Sequence, residues 1–320
     1  MPLRTRLTEL LAIRHPVLLA PMGGTAGGKL AAAVSEAGGL GLIGGGRSDA
    51  EWLEREFAAA GNQRVGCGFI TWGLAQQPEL LDRALTHAPV AIMLSFGDAS
   101  PFIARIKSAG IPVICQIQSL AQARQVLQEG ADLIVAQGSE AGGHGAVRAT
   151  LPLVPAVVDA VAASRRDVPV VAAGGIADGR GLAAALMLGA AGVLMGTRFH
   201  VAEESLLPRA AKNRIVSGSG DDTLRTKIFD IALGGEWPQE YTGRVLPNSF
   251  SEKWRGREAA LAADSAELAL YAKARAADDF DTAVIHAGEG IDLIHAIEPA
   301  REIVARVVGE AEAALARRFS

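Results

Sequence analysis

Apolar residues in this chain fall in short dense runs. The runs at 16–20, 40–43, 64–70, 89–94, 111–116, 132–136, 168–173 and 191–195 are nearly all apolar at odd and even positions alike. A strand with one wet face alternates, whereas one covered on both faces does not, so these runs predict parallel strands wrapped by helices. Between them, residues 29–37, 51–60, 78–86, 101–109, 119–129, 153–163 and 179–188 carry helical periodicity. Gly38-Gly39, Gly110, Gly130 and Gly189 stand just past four of these segments, where glycine closes a helix with least strain. Eight such units predict an α/β chain folded as a (β/α)8 TIM barrel, with an open doubly wound sheet as the alternative. The motif Gly39-Leu-Gly41-Leu-Ile-Gly44 fits a dinucleotide fingerprint in letters only, because it follows a helix and contains a strand.

After Phe199 the strand pattern stops. The chain divides into a barrel over 1–200, a helical or irregular insertion over 201–282 without further β periodicity, and a segment over 283–320 returning to the barrel. The insertion, with a helical stretch at 257–276, is expected to form a substrate-side lid. Its Trp237, Tyr241 and Trp254 either wall a pocket or pack the insertion onto the barrel. In the last segment, residues 299–319 predict an amphipathic helix with Ile303, Val304, Val307, Val308, Ala311 and Leu315 on one face.

The formal charge of −4 over 320 residues, with no basic stripe, argues against nucleic acid as a partner. No stretch approaches the roughly 20 apolar residues of a membrane span, and the basic N-terminus lacks an apolar region behind it. A cytoplasmic protein without membrane attachment is the expectation. Cys67 and Cys115 lie in separate strands without metal-ligand spacing, which predicts buried reduced thiols and no metal.

In a (β/α)8 barrel the working residues follow the C-terminal ends of strands. There the chain places Ala20-Pro21-Met22-Gly23, then the glycine-rich run from Gln137 through Gly142 and Gly143 to His144, then Gly174-Gly175, and finally Gly196-Thr197-Arg198. Glycines after the last two strands suit a phosphate cradle of backbone N–H groups. Thr197 adds a hydroxyl, while Arg198 serves either the phosphate or a structural ion pair. His144 is an ionisable imidazole in backbone that a flat ligand can approach closely; the alternative is a surface histidine on a flexible turn. Met22, Phe69 and Trp72 either line a small apolar pocket or belong to the core. The other histidines read as structural, with His286 the least clear.

Together Ala20-Pro-Met-Gly, Gly138-Ser-Glu-Ala-Gly-Gly-His144, Ala173-Gly-Gly-Ile-Ala-Asp-Gly-Arg180, Met195-Gly-Thr-Arg-Phe199 and the turn Ala287-Gly-Glu-Gly290 resemble the nitronate monooxygenase family across nearly the whole barrel. The resemblance implies FMN at the barrel mouth. Its ring would lie on Ala20, Pro21, Met22 and Gly23, and its phosphate on Gly174, Gly175, Gly196 and Thr197. Gln116 and Gln137 would reach the ring or ribityl chain, and Gly142, Gly143, Ala173 and Met195 would complete the surroundings. His144 would be the catalytic base, taking the α-proton of a nitroalkane or orienting a nitronate before reaction with O2 to a carbonyl compound and nitrite. Two positions depart from the pattern: Gly68 stands where many relatives have Asn, and Gln116 where they have Lys. Losing a cation beside a flavin should lower its potential. The implied partners are a small-molecule substrate and O2, and a homodimer is admitted. Two alternatives stay open: an NAD(P)H-dependent reductase of quinones or enoyl thioesters, and an FMN-binding module without turnover.

Overall fold

A computed structural model of the chain describes residues 3–46, 49–235 and 237–317. Its main sheet contains β1 (Val17–Leu19), β2 (Leu42–Gly46), β3 (Gly66–Ile70), β4 (Ile92–Ser95), β5 (Val113–Ile117) and β6 (Leu133–Gln137). After a short β7 (Gly143–Gly145), which lies elsewhere, it continues with β8 (Val170–Ala173) and β9 (Gly192–Met195). The strands are parallel in the order β1-β9-β8-β6-β5-β4-β3-β2. The two ends meet: the Leu40 N–H donates to Val17 O at 3.1 Å and the Leu19 N–H to Leu40 O at 3.0 Å, which closes the barrel. The open-sheet alternative is thereby excluded.

The unbroken apolar runs follow from this closure. Leu18, Leu42, Met93, Ile114, Val135 and Val171 fill the interior, while their neighbours Val17, Ile43, Ile92, Val113, Ile134 and Ala172 face the helices. Gly38, Gly110, Gly130 and Gly189 take positive φ at helix ends, as the terminators in the sequence predict. One element escaped the sequence pattern. The helix Arg6–Leu11, capped by Thr5, places Leu7 and Leu11 one turn apart in the interior cluster and plugs the barrel.

The absence of β structure expected beyond Phe199 is incorrect. β10 (Leu224–Thr226) and β11 (Thr242–Val245) form a three-stranded antiparallel ribbon with β7, and Gly243 stands opposite His144. These strands are three or four residues long and contain Arg, Thr and Gly, so no apolar alternation announces them. The helical stretch expected at 257–276 is two helices, Glu258–Ala263 and Ser265–Ala276, divided at Asp264, whose side chain caps the second. Phe229, Phe250, Trp254, Leu261 and Tyr271 give this region its own apolar cluster. The last helix, Ala300–Ala316, buries Ile303, Val304, Val307, Val308 and Ala311, with Leu315 exposed instead; residues 318–319 of the expected helix lie outside the described ones. Among the described residues, no helix is long and apolar enough to cross a membrane. Cys67 and Cys115 are buried and unpaired, and burial pushes both thiols up to about 12.

Candidate active site

A cavity of about 830 Å³ opens at the C-terminal ends of the barrel strands. It is lined by Ala20, Pro21, Met22 and Gly23 after β1, Gln116 on β5, Gln137 on β6, Gly142, Gly143 and His144 after it, Ala173, Gly174 and Gly175 at the end of β8, and Gly196 and Thr197 after β9. Of the cofactor residues expected from sequence, Met195 alone is absent from the wall. Strand alternation turns its side chain outward into the helix layer, and Leu194 faces the cavity instead. Met22 and Phe69 also line the space, whereas Trp72 sits behind it.

The cradle is built by close backbone approach. A Cβ on Gly142 would lie 2.6 Å from Gly288 N and 2.9 Å from Thr197 Oγ1, so only glycine lets the loop after β6 meet the final turn. Thr197 Oγ1 accepts the Gly288 N–H at 3.0 Å, which leaves its own proton to donate. The N–H groups of Gly175, Gly196 and Thr197 meet no acceptor among the described residues. Backbone donors left free on a cavity wall suit an anion. Arg198 takes no part: it is buried in an ion pair with Glu298 and donates to Ala296 O at 3.3 Å.

Both departures from the family pattern have a structural setting. A Cβ on Gly68 would fall 2.3 Å from Pro21 Cγ, so this chain leaves no space for a side chain there. Gln116 Nε2 and Gln118 Nε2 both donate to Gln137 Oε1, at 3.2 and 2.9 Å, and Gln137 Nε2 donates to His144 O at 3.1 Å. The amide of Gln137 is thus engaged with the histidine loop, and Gln118 joins the group without any cue in the sequence.

His144 is held on two sides. Its Nε2 lies 2.7 Å from Asp230 Oδ1, and its ring stacks on Trp237 with centroids 3.4 Å apart and planes 7° from parallel. Trp237 is in turn met edge-on by Trp72, Phe96 and Tyr241. Phe96 holds its place at φ 63°, a strained value for a bulky residue, of the kind found around ligand sites. The three insertion aromatics therefore divide: Trp237 lines the cavity, Tyr241 braces it and accepts from Gln122 Nε2 at 3.1 Å, and Trp254 packs in the insertion's own cluster. Glu140 is turned away from His144, its carboxylate accepting the Thr150 N–H at 2.9 Å. Nothing in the sequence flags Asp230, which reaches His144 from 86 residues away.

Two more histidines line the cavity. His286 lies with its ring centroid 5.9 Å from that of His144, and burial, reinforced by the His144 and His200 imidazoles, pushes it down to about 3. His200, read from sequence as structural, places Nδ1 3.1 Å from His286 O and is held at about 4 by burial. Both are neutral near pH 7, so they add polarity without charge.

A closed (β/α)8 barrel with a glycine-walled cavity, free backbone donors and a pinned imidazole defines a class, the flavin-dependent oxidoreductases of the TIM-barrel type. The profile of the nitronate monooxygenase family matches residues 4–65 and 69–310, and the chain belongs to that family. It is 32% identical to a nitronate monooxygenase of Neurospora crassa, over 93% of this chain and 90% of that one. It is 40% identical to a 5-hydroxy-7a-methyl-1-oxo-octahydro-1H-indene-4-carboxyl-CoA dehydrogenase of Mycobacterium tuberculosis over 72% of this chain, a match that spans 65% of the relative's length. Among solved structures, FabK of Thermotoga maritima superposes with a TM-score of 0.83 at 32% identity, over 98% of this chain and 97% of that one. A nitroalkane oxidase of Streptomyces ansochromogenes does so with a TM-score of 0.78 at 28% identity, over 98% and 100%.

Proposed function

We propose that the chain is a cytoplasmic, FMN-dependent nitronate monooxygenase, oxidising alkyl nitronates, and nitroalkanes after loss of the α-proton, with O2. The observation that carries this reading is the imidazole of His144, fixed by Asp230 and Trp237 on the wall of a cavity whose other walls are glycine backbone. FMN, when bound, supplies the electron acceptor and the reaction with O2. The free N–H groups of Gly175, Gly196 and Thr197 would hold its phosphate, and the Ala20–Gly23 backbone its ring. His144 accepts the proton of a carbon acid, a task for which one placed imidazole suffices because the nitro group delocalises the charge. The cytoplasmic setting fits two buried thiols that remain unpaired.

A second reading has specific support: oxidation or reduction of an acyl thioester. The relative named as a carboxyl-CoA dehydrogenase is 40% identical, and this chain carries Gln116 and a side-chain-free Gly68 at the positions where it departs from the nitronate pattern. An anaerobic flavin absorbance titration separates the readings. Bleaching by propionate 3-nitronate with indifference to NADH and NADPH is the expected outcome. Prompt bleaching by either nucleotide moves the assignment to a reductase, and a protein that neither contains nor binds FMN removes the cradle argument.

A further inference from the structure

The carboxylate of Asp230 is 8% exposed, and only one of its oxygens is used: Oδ1 meets His144 Nε2, while Oδ2 is buried without a partner. A half-satisfied buried carboxylate is destabilising, so its presence here needs a compensating use. The other ring nitrogen of His144 supplies the complementary observation. Nδ1 makes no hydrogen bond with any described residue and is not buried, on a side chain that lines the cavity. A carboxylate accepts only, and Nε2 beside it must therefore carry the proton, leaving the lone pair on Nδ1.

We propose that Asp230 is a positioning residue that fixes the Nε2–H tautomer of His144, making Nδ1 the proton acceptor. Resting on the function proposed above, this deepens it. In the step, the α C–H bond breaks, its proton goes to Nδ1, and its electron pair stays on the carbon, delocalised onto the oxygens of the activating group. The imidazolium so formed meets the Asp230 charge at 2.7 Å, so the carboxylate acts most strongly after the proton arrives. Trp237 stacks on the ring face, and a rotation exchanging the nitrogens would have to break that contact.

The first test does not depend on activity. In protein labelled with 15N-histidine, His144 is assigned by comparison with H144Q, and its tautomer is read from long-range 15N–1H correlations. Protonated Nε2 with an unprotonated Nδ1 is expected in the wild type, with that bias lost in D230N and kept in D230E. An Nδ1–H tautomer in the wild type overturns the proposal. The second test compares nitroethane with its pre-formed anion as substrates. D230N should lower kcat/KM on the neutral compound about 10²- to 10⁴-fold, the usual range of general-base catalysis, while the anion loses less than about tenfold and FMN content holds. Equal losses on both substrates, or none, reject the role of Asp230. If neither compound reduces the wild-type flavin, the nitronate reading fails and the tautomer measurement alone decides the positioning role.

Discussion

At the scale of single residues, His200 links the site to stability. Its folded value of about 4 lies below the ordinary 6.5 of an unfolded histidine, because burial disfavours the charged ring. Between these values the unfolded chain binds the extra proton, so the stabilising effect is complete above about pH 6.5 and is lost as pH falls towards 4. Each tenfold difference in proton affinity between the two states is worth about 1.4 kcal/mol, so acidification from pH 7 to 4 should cost about 3 kcal/mol through this group. Denaturant unfolding of wild type and His200→Asn across that range checks it; parallel pH curves for the two proteins would remove the contribution. The same scale marks where sequence reading ends. His144 was legible because glycines surround it and an apolar strand precedes it. Asp230 was not, because its role depends on a contact across 86 positions, and an aspartate inside Ile228–Ala232 has the spacing of any surface carboxylate. The side chain of Met195 stands off the cavity wall because a motif names a neighbourhood, while strand alternation decides that Leu194 faces the cavity.

Among elements, the ribbon β10-β11-β7 determines how firmly the imidazole loop is held. Arg225 donates to Ser139 O at 3.0 Å and to Thr242 O at 2.6 Å, and Arg244 donates to the same Ser139 O at 3.0 Å. Burial, with Arg244 alongside, pushes Arg225 down to about 10, so it stays charged at pH 7. Arg225→Met removes its donors from part-buried carbonyls and should cost roughly 1–3 kcal/mol. The expected signature is faster amide hydrogen exchange at 139–145 and 242–245, with barrel strands unaffected; equal exchange in wild type and variant would show that Arg244 suffices. Barrel strands were legible because each is apolar on both faces. The ribbon strands were not, because they are short, carry no apolar alternation, and are tied in place by arginine side chains bonded to the distant Ser139 carbonyl.

For the whole molecule, closure has two ends of different kinds. The bottom is stoppered by Leu7 and Leu11, both essentially without exposure, and the top is open to ligand. Leu7→Ala should leave a void in the barrel interior and cost roughly 2–5 kcal/mol, visible as a lower Tm. Flavin affinity of the folded variant should be unchanged, since the stopper and the cavity lie at opposite ends; weakened flavin binding at an unchanged Tm would contradict that separation. The upper end is arranged differently, because a single stretch of chain carries β10, Asp230, Trp237 and β11, and β11 is zipped to the strand holding His144. Wall, carboxylate and imidazole are thus coupled like parts of one casting: a substitution that shifts β11 displaces His144 together with its neighbours, and cannot loosen one without the others.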